Sequence, residues 1–164
     1  MATVVVPFRG ANGKSRLALP ERERRELALS MLRRVLGAAA EVGEVIVVTD
    51  DEEARQLAPR SVEDPGRGQG AAVEAALAEA DGPTLVVNAD LPRIEPQDLR
   101  DLLAAIPAGG VALVEAPDGT TNALGLADPA LFAPLYGPGS AARFKERGAV
   151  AVELPGLAED LDTL

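Results

Sequence analysis

Four short runs limit what this chain can become. Residues 3–6 (Thr-Val-Val-Val), 45–48 (Val-Ile-Val-Val), 84–87 (Thr-Leu-Val-Val) and 111–114 (Val-Ala-Leu-Val) are dominated by aliphatic and β-branched side chains without a break. A strand with one wet face alternates apolar and polar positions, whereas an unbroken run has to be covered on both faces, as in parallel sheets held between helices. The segments between the runs agree with that. After Pro20, the residues Leu27, Met31, Leu32, Val35 and Leu36 recur along one helical face, and Asp50-Asp51 marks the start of a short helix through Leu57. An alanine-rich helix is expected over 71–80, and Leu99, Leu102, Leu103 and Ile106 form a further helical stripe that begins near Pro96. Residues 61–70, rich in glycine and charge, read as a loop. Beyond 120 the pattern shortens: a strand is expected over 121–126, a short helix over 129–136, a capped helix over 140–147 and a last strand over 149–152. The alternation predicts an α/β fold, a mainly parallel sheet with helices on both faces and a right-handed crossover at each step.

Composition narrows the chemistry. The 164 residues suit one domain, 1–164, with no repeat or low-complexity linker dividing them. The chain has neither cysteine nor histidine, which excludes disulfides and thiolate metal sites and removes the commonest general base. Catalysis would have to rest on carboxylates, bound metal, amides and cations. A net charge of −10 argues against a nucleic-acid partner. The opening residues carry no charged leader pattern, and no apolar run approaches the roughly 20 residues that span a bilayer, so a cytoplasmic protein without a membrane partner is expected.

Ligands of open α/β sheets bind at the carboxyl ends of the strands. The loops expected there, 8–19, 88–94 and 116–122, carry unusual residues and should face one another across a crevice. The first holds Arg9-Gly10-Ala11-Asn12-Gly13-Lys14-Ser15-Arg16. Its glycines let backbone amides approach an anion while Arg9, Lys14 and Arg16 supply charge, so it reads as a phosphate cradle, the alternative being a solvated basic loop. A P-loop requires four residues between its glycines, and here two separate Gly10 from Gly13. The second loop, Asn88-Ala89-Asp90-Leu91-Pro92, places Asp90 just past a buried strand, where a carboxylate either binds a divalent cation or caps a turn. In the third, Asp118-Gly119-Thr120-Thr121-Asn122 offers hydroxyls and an amide to an anion, or simply makes a β-turn. Gly137-Pro138-Gly139-Ser140 leads into a helix whose first amides favour an anion. The last acids, Asp160 and Asp162, read on their own as an acidic, disordered tail.

Taken in order, the Val5-Val6-Pro7-Phe8-Arg9-Gly10 opening with Lys14-Ser15-Arg16-Leu17, the Ala89-Asp90-Leu91-Pro92 turn, the Asp118–Asn122 segment and the terminal Asp160-Leu161-Asp162-Thr163 resemble the phospholactate/phosphoenolpyruvate guanylyltransferase family of coenzyme F-420 biosynthesis. The resemblance spans nearly the whole chain. It implies a three-layer, Rossmann-like nucleotidyltransferase fold of the GT-A/MobA-like kind, and transfer of GMP from GTP to phosphoenolpyruvate or 2-phospho-L-lactate with release of pyrophosphate. It assigns GTP to Arg9, Gly10, Gly13, Lys14, Arg16, Gln69 and Gly70, and the acceptor phosphate to Thr121, Gly137 and Ser140. It implies Mg2+ on Asp90, Asp162 and Asp160, with Lys14, Asp90 and Asp162 as the catalytic set. Relatives often carry Asp-x-Asp where this chain has Asn88 before Asp90. A nucleotidyltransferase with a sugar-phosphate or molybdopterin acceptor, and a non-catalytic nucleotide-binding module, are the alternatives.

Overall fold

All four apolar runs are strands. The computed structural model describes residues 2–9 and 20–160, and among these a seven-stranded sheet runs in the order β3-β2-β1-β4-β6-β5-β7. The strands are β1 (Ala2–Phe8), β2 (Gly43–Thr49), β3 (Ser61–Glu63), β4 (Thr84–Val87), β5 (Val111–Glu115), β6 (Thr121–Leu126) and β7 (Val150–Ala151). The helices are α1 (Glu21–Ala40), α2 (Glu52–Leu57), α3 (Gln69–Leu77), α4 (Pro96–Ala105), α5 (Ser140–Glu146) and α6 (Pro155–Ala158).

Successive strand residues point to opposite faces, so a run that is apolar throughout feeds two cores. Val4, Val6, Phe8, Val45 and Val47 pack with α1, α2, α4 and Leu157 of α6 on one side. Val5, Ile46, Val48 and Val86 pack with α3 and α5 on the other. Each fully buried Val, Leu or Ile stabilises the fold by roughly 1.5–3 kcal/mol, and a one-residue slip of β1 would exchange its partners on both sides at once. Helix α1 buries Ala28, Leu29, Leu32, Val35 and Leu36, a stripe displaced slightly from the expected one because Leu27 and Met31 sit at its half-buried margin. Helix α4 starts at Pro96, where the Asp98 carboxylate accepts from the Glu95 amide at 2.8 Å and so closes one of the helix's unsatisfied ends.

The structure departs from the sequence expectation in several places. Strand β6 runs antiparallel between β4 and β5, so the crossovers do not all join neighbouring strands. Gly125 permits this placement: a Cβ there would meet Ile106 Cγ1 at 2.7 Å, so only glycine lets the end of α4 lie on β6. Residues 61–63 are not loop but the edge strand β3, paired in parallel with β2 through Val47, Val48 and Thr49. The helix expected over 129–136 is a single 3-10 turn at Pro129–Leu131. Helix α5 is capped not by a side chain but by Gly139, whose φ of 74° is the left-handed conformation glycine adopts without strain. Among the described residues no helix is long and apolar enough to cross a membrane.

Candidate active site

The carboxyl ends of β1, β2, β4 and β5 share one rim of the sheet. Because β6 is antiparallel, its first residues, Thr121 and Asn122, lie on that rim beside the last residues of β4. The loops that follow β4 and precede β6 therefore meet, as the sequence suggested. Arg9 is exposed one residue past β1. Gly10, Gly13, Lys14, Arg16 and Asp162 lie outside the described residues.

Asp90 stands in the turn after β4 and is half-buried. Its neighbour Leu91 is fully buried in the α1 and α4 core, and Ile94 N donates to Leu91 O at 3.3 Å. The turn is thus pinned from below by an apolar anchor, which holds Asp90 at the rim. Asp160 is 6% exposed, so the chain end is not a solvated tail up to that point, contrary to the reading from sequence alone. Leu157, three residues earlier, is fully buried, and a Cβ on Gly156 would run into the Asp98 carboxylate, so α6 sits directly on the start of α4. Arg93 Nε lies 3.1 Å from Glu159 Oε2 as an ion pair that lacks the alignment of a hydrogen bond.

A chain of side-chain amides joins these pieces. Gln69 Nε2 donates to Asn88 Oδ1 at 3.1 Å; Asn88 Nδ2 donates to Thr121 O at 3.1 Å and to Asn122 Oδ1 at 3.4 Å; Asn122 Nδ2 donates to Ala158 O at 3.0 Å. The backbone adds Asn88 N to Asn122 O at 3.0 Å. Gln69, from the start of α3, is thereby linked to the Asp90 loop. Both polar ends of the Asn88 side chain bond protein groups, so the amide is part of the scaffold of the rim. Gly70 serves packing: a Cβ there would lie 2.6 Å from Pro134 Cβ, so α3 and the 129–138 segment touch only because the side chain is absent.

Thr121 and Ser140 are brought together as a closed pair. Their hydroxyl oxygens are 3.0 Å apart, with Thr121 3% and Ser140 0% exposed. The first amides of α5 are also turned inward, correcting the expectation of free donors: Ser140 N donates to Gly137 O at 3.0 Å and Ala141 N to Gly119 O at 3.1 Å. Gly137, with φ 113°, sits in a turn that Arg143 braces by donating to Leu135 O, Tyr136 O and Pro138 O.

The rim of β2 holds a two-point ion pair. Arg25 of α1 grips Asp51 with both terminal nitrogens, at 2.7 and 3.1 Å, and also reaches Glu53 at 3.1 Å. The guanidinium holds the Asp51 carboxyl below the usual aspartate range, and the same contacts raise the pKa of Arg25. Asp51 caps α2 by accepting from Ala54 N at 3.0 Å, while its own amide donates to Thr49 Oγ1. Sequence reasoning missed this pair and the linking role of Asn122. The signal for the second was present: an apolar strand followed at once by Asn88, and another with Asn122 as its second residue.

Oxygen donors are all that this chain can offer a cation, since it has no histidine or cysteine. Asp90 and Asp160 carry carboxylate oxygens of the kind that a hard ion such as Mg2+ takes together with water. Among the described residues no group of three or more acidic side chains gathers at metal-binding spacing.

Residues 2–147 match the family described as guanylyl transferase CofC like. The chain is 39% identical over 185 residues to a phosphoenolpyruvate guanylyltransferase of Sphaerobacter thermophilus, covering 99% of this chain and 89% of that one. It is 38% identical over 171 residues to a phosphoenolpyruvate guanylyltransferase of Nocardia farcinica, covering 92% and 76%. In fold it is similar to 2-C-methyl-D-erythritol 4-phosphate cytidylyltransferase from Thermus thermophilus, with a TM-score of 0.64, 20% identity, and 96% and 91% of the two chains covered.

Proposed function

Because the chain belongs to the CofC-like guanylyl transferase family, we propose that it transfers GMP from GTP to phosphoenolpyruvate and releases pyrophosphate, a step in the assembly of coenzyme F-420. The observation that carries this reading is the meeting, on one rim of the sheet, of the Asp90 turn, the start of β6 and the segment ending at Asp160. An oxygen of the acceptor phosphate attacks the α-phosphorus of GTP, a new P–O bond forms, and the bond to the bridging oxygen of the departing pyrophosphate breaks. The attacking oxygen is already anionic, so a chain without histidine needs no strong base for it.

The difficulty is repulsion between two anions. Arg9, Lys14 and Arg16, with the amides of Gly10 and Gly13, would hold the triphosphate, and Gln69 and Gly70 would border the nucleoside. Asp90, Asp162 and Asp160 would hold Mg2+, which when bound neutralises charge between the reactants. The closed Thr121–Ser140 pair and the braced turn at Gly137 would form the floor of the acceptor pocket, fixing the phosphate in line with the α-phosphorus.

The test is incubation with GTP, Mg2+ and phosphoenolpyruvate or 2-phospho-L-lactate in turn, with product mass and pyrophosphate as readouts. Phosphoenolpyruvate should give the guanylylated product. Asp90→Ala should abolish turnover while the protein stays folded, because the Leu91 anchor is untouched. Mg2+-dependent pyrophosphate release by the variant at the parent rate would reject the role of Asp90.

A further inference from the structure

Asn122 is 1% exposed and joins two parts of the site that are far apart in sequence. Its carbonyl oxygen accepts from Asn88, two residues before Asp90, and its amide nitrogen donates to Ala158 O, two residues before Asp160. A hydrogen-bonded path from one acidic segment to the other runs through this side chain. The Leu157 contact beside it is apolar and non-directional, and the Arg93–Glu159 ion pair reaches out to a side chain that is 68% exposed. The Asn122 bond ties the backbone at Ala158 directly to the start of β6 and, through Asn88, to the β4 turn.

We propose that Asn122 is a positioning residue that sets the C-terminal acidic segment in register with the Asp90 turn for cation binding. The proposal rests on the reading of Asp90 and Asp160 as cation ligands. A substrate does not have to touch Asn122 for it to act. Its effect passes through the backbone of residues 158–160, and Asn88 keeps it oriented by donating to its oxygen.

The experiment compares the full-length parent with Asn122→Ala by hydrogen exchange over a peptide spanning 152–160, by calorimetric titration with Mg2+ in the presence of GTP, and by kinetics. Loss of one directional bond is expected to raise exchange in that peptide about fivefold, with β1 and β4 amides unchanged. It should also raise the half-saturating Mg2+ concentration about fivefold, leave the apparent KM for GTP within about twofold, and allow excess Mg2+ to restore the rate. Unchanged exchange over 152–160 overturns the anchor. Faster exchange with unchanged Mg2+ binding overturns the positioning role and leaves a purely structural bond. If the alanine variant exchanges everywhere and so does not fold, Asn122→Ser, a smaller perturbation of β6, is read by the same criteria. Should the parent fail to transfer GMP, the functional reading falls, while exchange and Mg2+ calorimetry still decide the proposal.

Discussion

Replacing Arg25 with alanine should loosen the start of α1 from the start of α2. The side chain makes two charge-assisted bonds to Asp51, whose side chain is 11% exposed, while Arg25 itself is 37% exposed. Hydrogen bonds to charged groups contribute about 1.5–3 kcal/mol when shielded and exposed pairs about 0–1, so this half-shielded pair should couple by about 1–2 kcal/mol. At about 2–4 °C per kcal/mol for a chain of this size, Arg25→Ala should lower Tm by roughly 2–8 °C. Asp51→Ala should cost about 1 kcal/mol more, because it also removes the α2 cap on Ala54 N.

A double-mutant cycle by urea unfolding isolates the pair. Its pH dependence has a fixed sign. Asp51 is depressed by Arg25, so the stabilisation is fully present above the ordinary aspartate pKa of about 3.9 and is lost as pH falls through the lower value Asp51 has in the folded chain. A coupling below about 0.5 kcal/mol at neutral pH, or one that grows on acidification, would refute the reasoning. Because α1 begins at Glu21, soon after Lys14 and Arg16, the same variant should raise the apparent KM for GTP more than that for the acceptor.

Two further substitutions test the packing of the site. Asn88→Asp keeps the shape but loses the donor to Thr121 O and Asn122 Oδ1 and sets a carboxylate against both oxygens, so it should destabilise by about 1–3 kcal/mol in urea unfolding; stability equal to the parent would mean the amide network is not formed. Gly70→Ala gains at most about 1 kcal/mol of helix propensity but drives a Cβ to 2.6 Å from Pro134 Cβ, an overpacking that costs about 1–3 kcal/mol, so the net change should be a lower Tm. A raised Tm would show that the 129–138 segment yields without cost.

What could be read from the sequence follows from where the forces are local. The strands β1, β2, β4 and β5 were legible because burial on both faces leaves an unbroken apolar run, and α4 because its stripe and Pro96 agree. Strand β3 was not: Ser61, Val62 and Glu63 gain their strand character only from pairing with β2 at the sheet edge. The insertion of β6 between β4 and β5 depends on Gly125 beneath Ile106, a contact between residues with no sequence signature of their relation. In the candidate site, Asp90 was singled out by its place just past a buried strand, and Thr121 and Ser140 by the resemblance to the family. That Thr121 and Ser140 would close on one another, and that Asp160 would be buried, required tertiary contacts no local pattern encodes.

The use of amides where charges would seem natural has an electrostatic reason. The chain carries a net charge of −10, and the proposed reaction adds two anionic reactants to a rim already bearing Asp90 and Asp160. A further carboxylate at position 88 or 122 would add to the repulsion of the substrates, whereas an amide adds none. Asn88 and Asn122 orient through dipoles, fixing backbone and side chains at 3.0–3.4 Å without changing the net charge of the site. On this argument an aspartate at position 88 is harmful twice, first to the local hydrogen bonds and then to the approach of a triphosphate. The two effects separate experimentally, since added salt screens the repulsion of substrate and leaves the unfolding cost nearly unchanged.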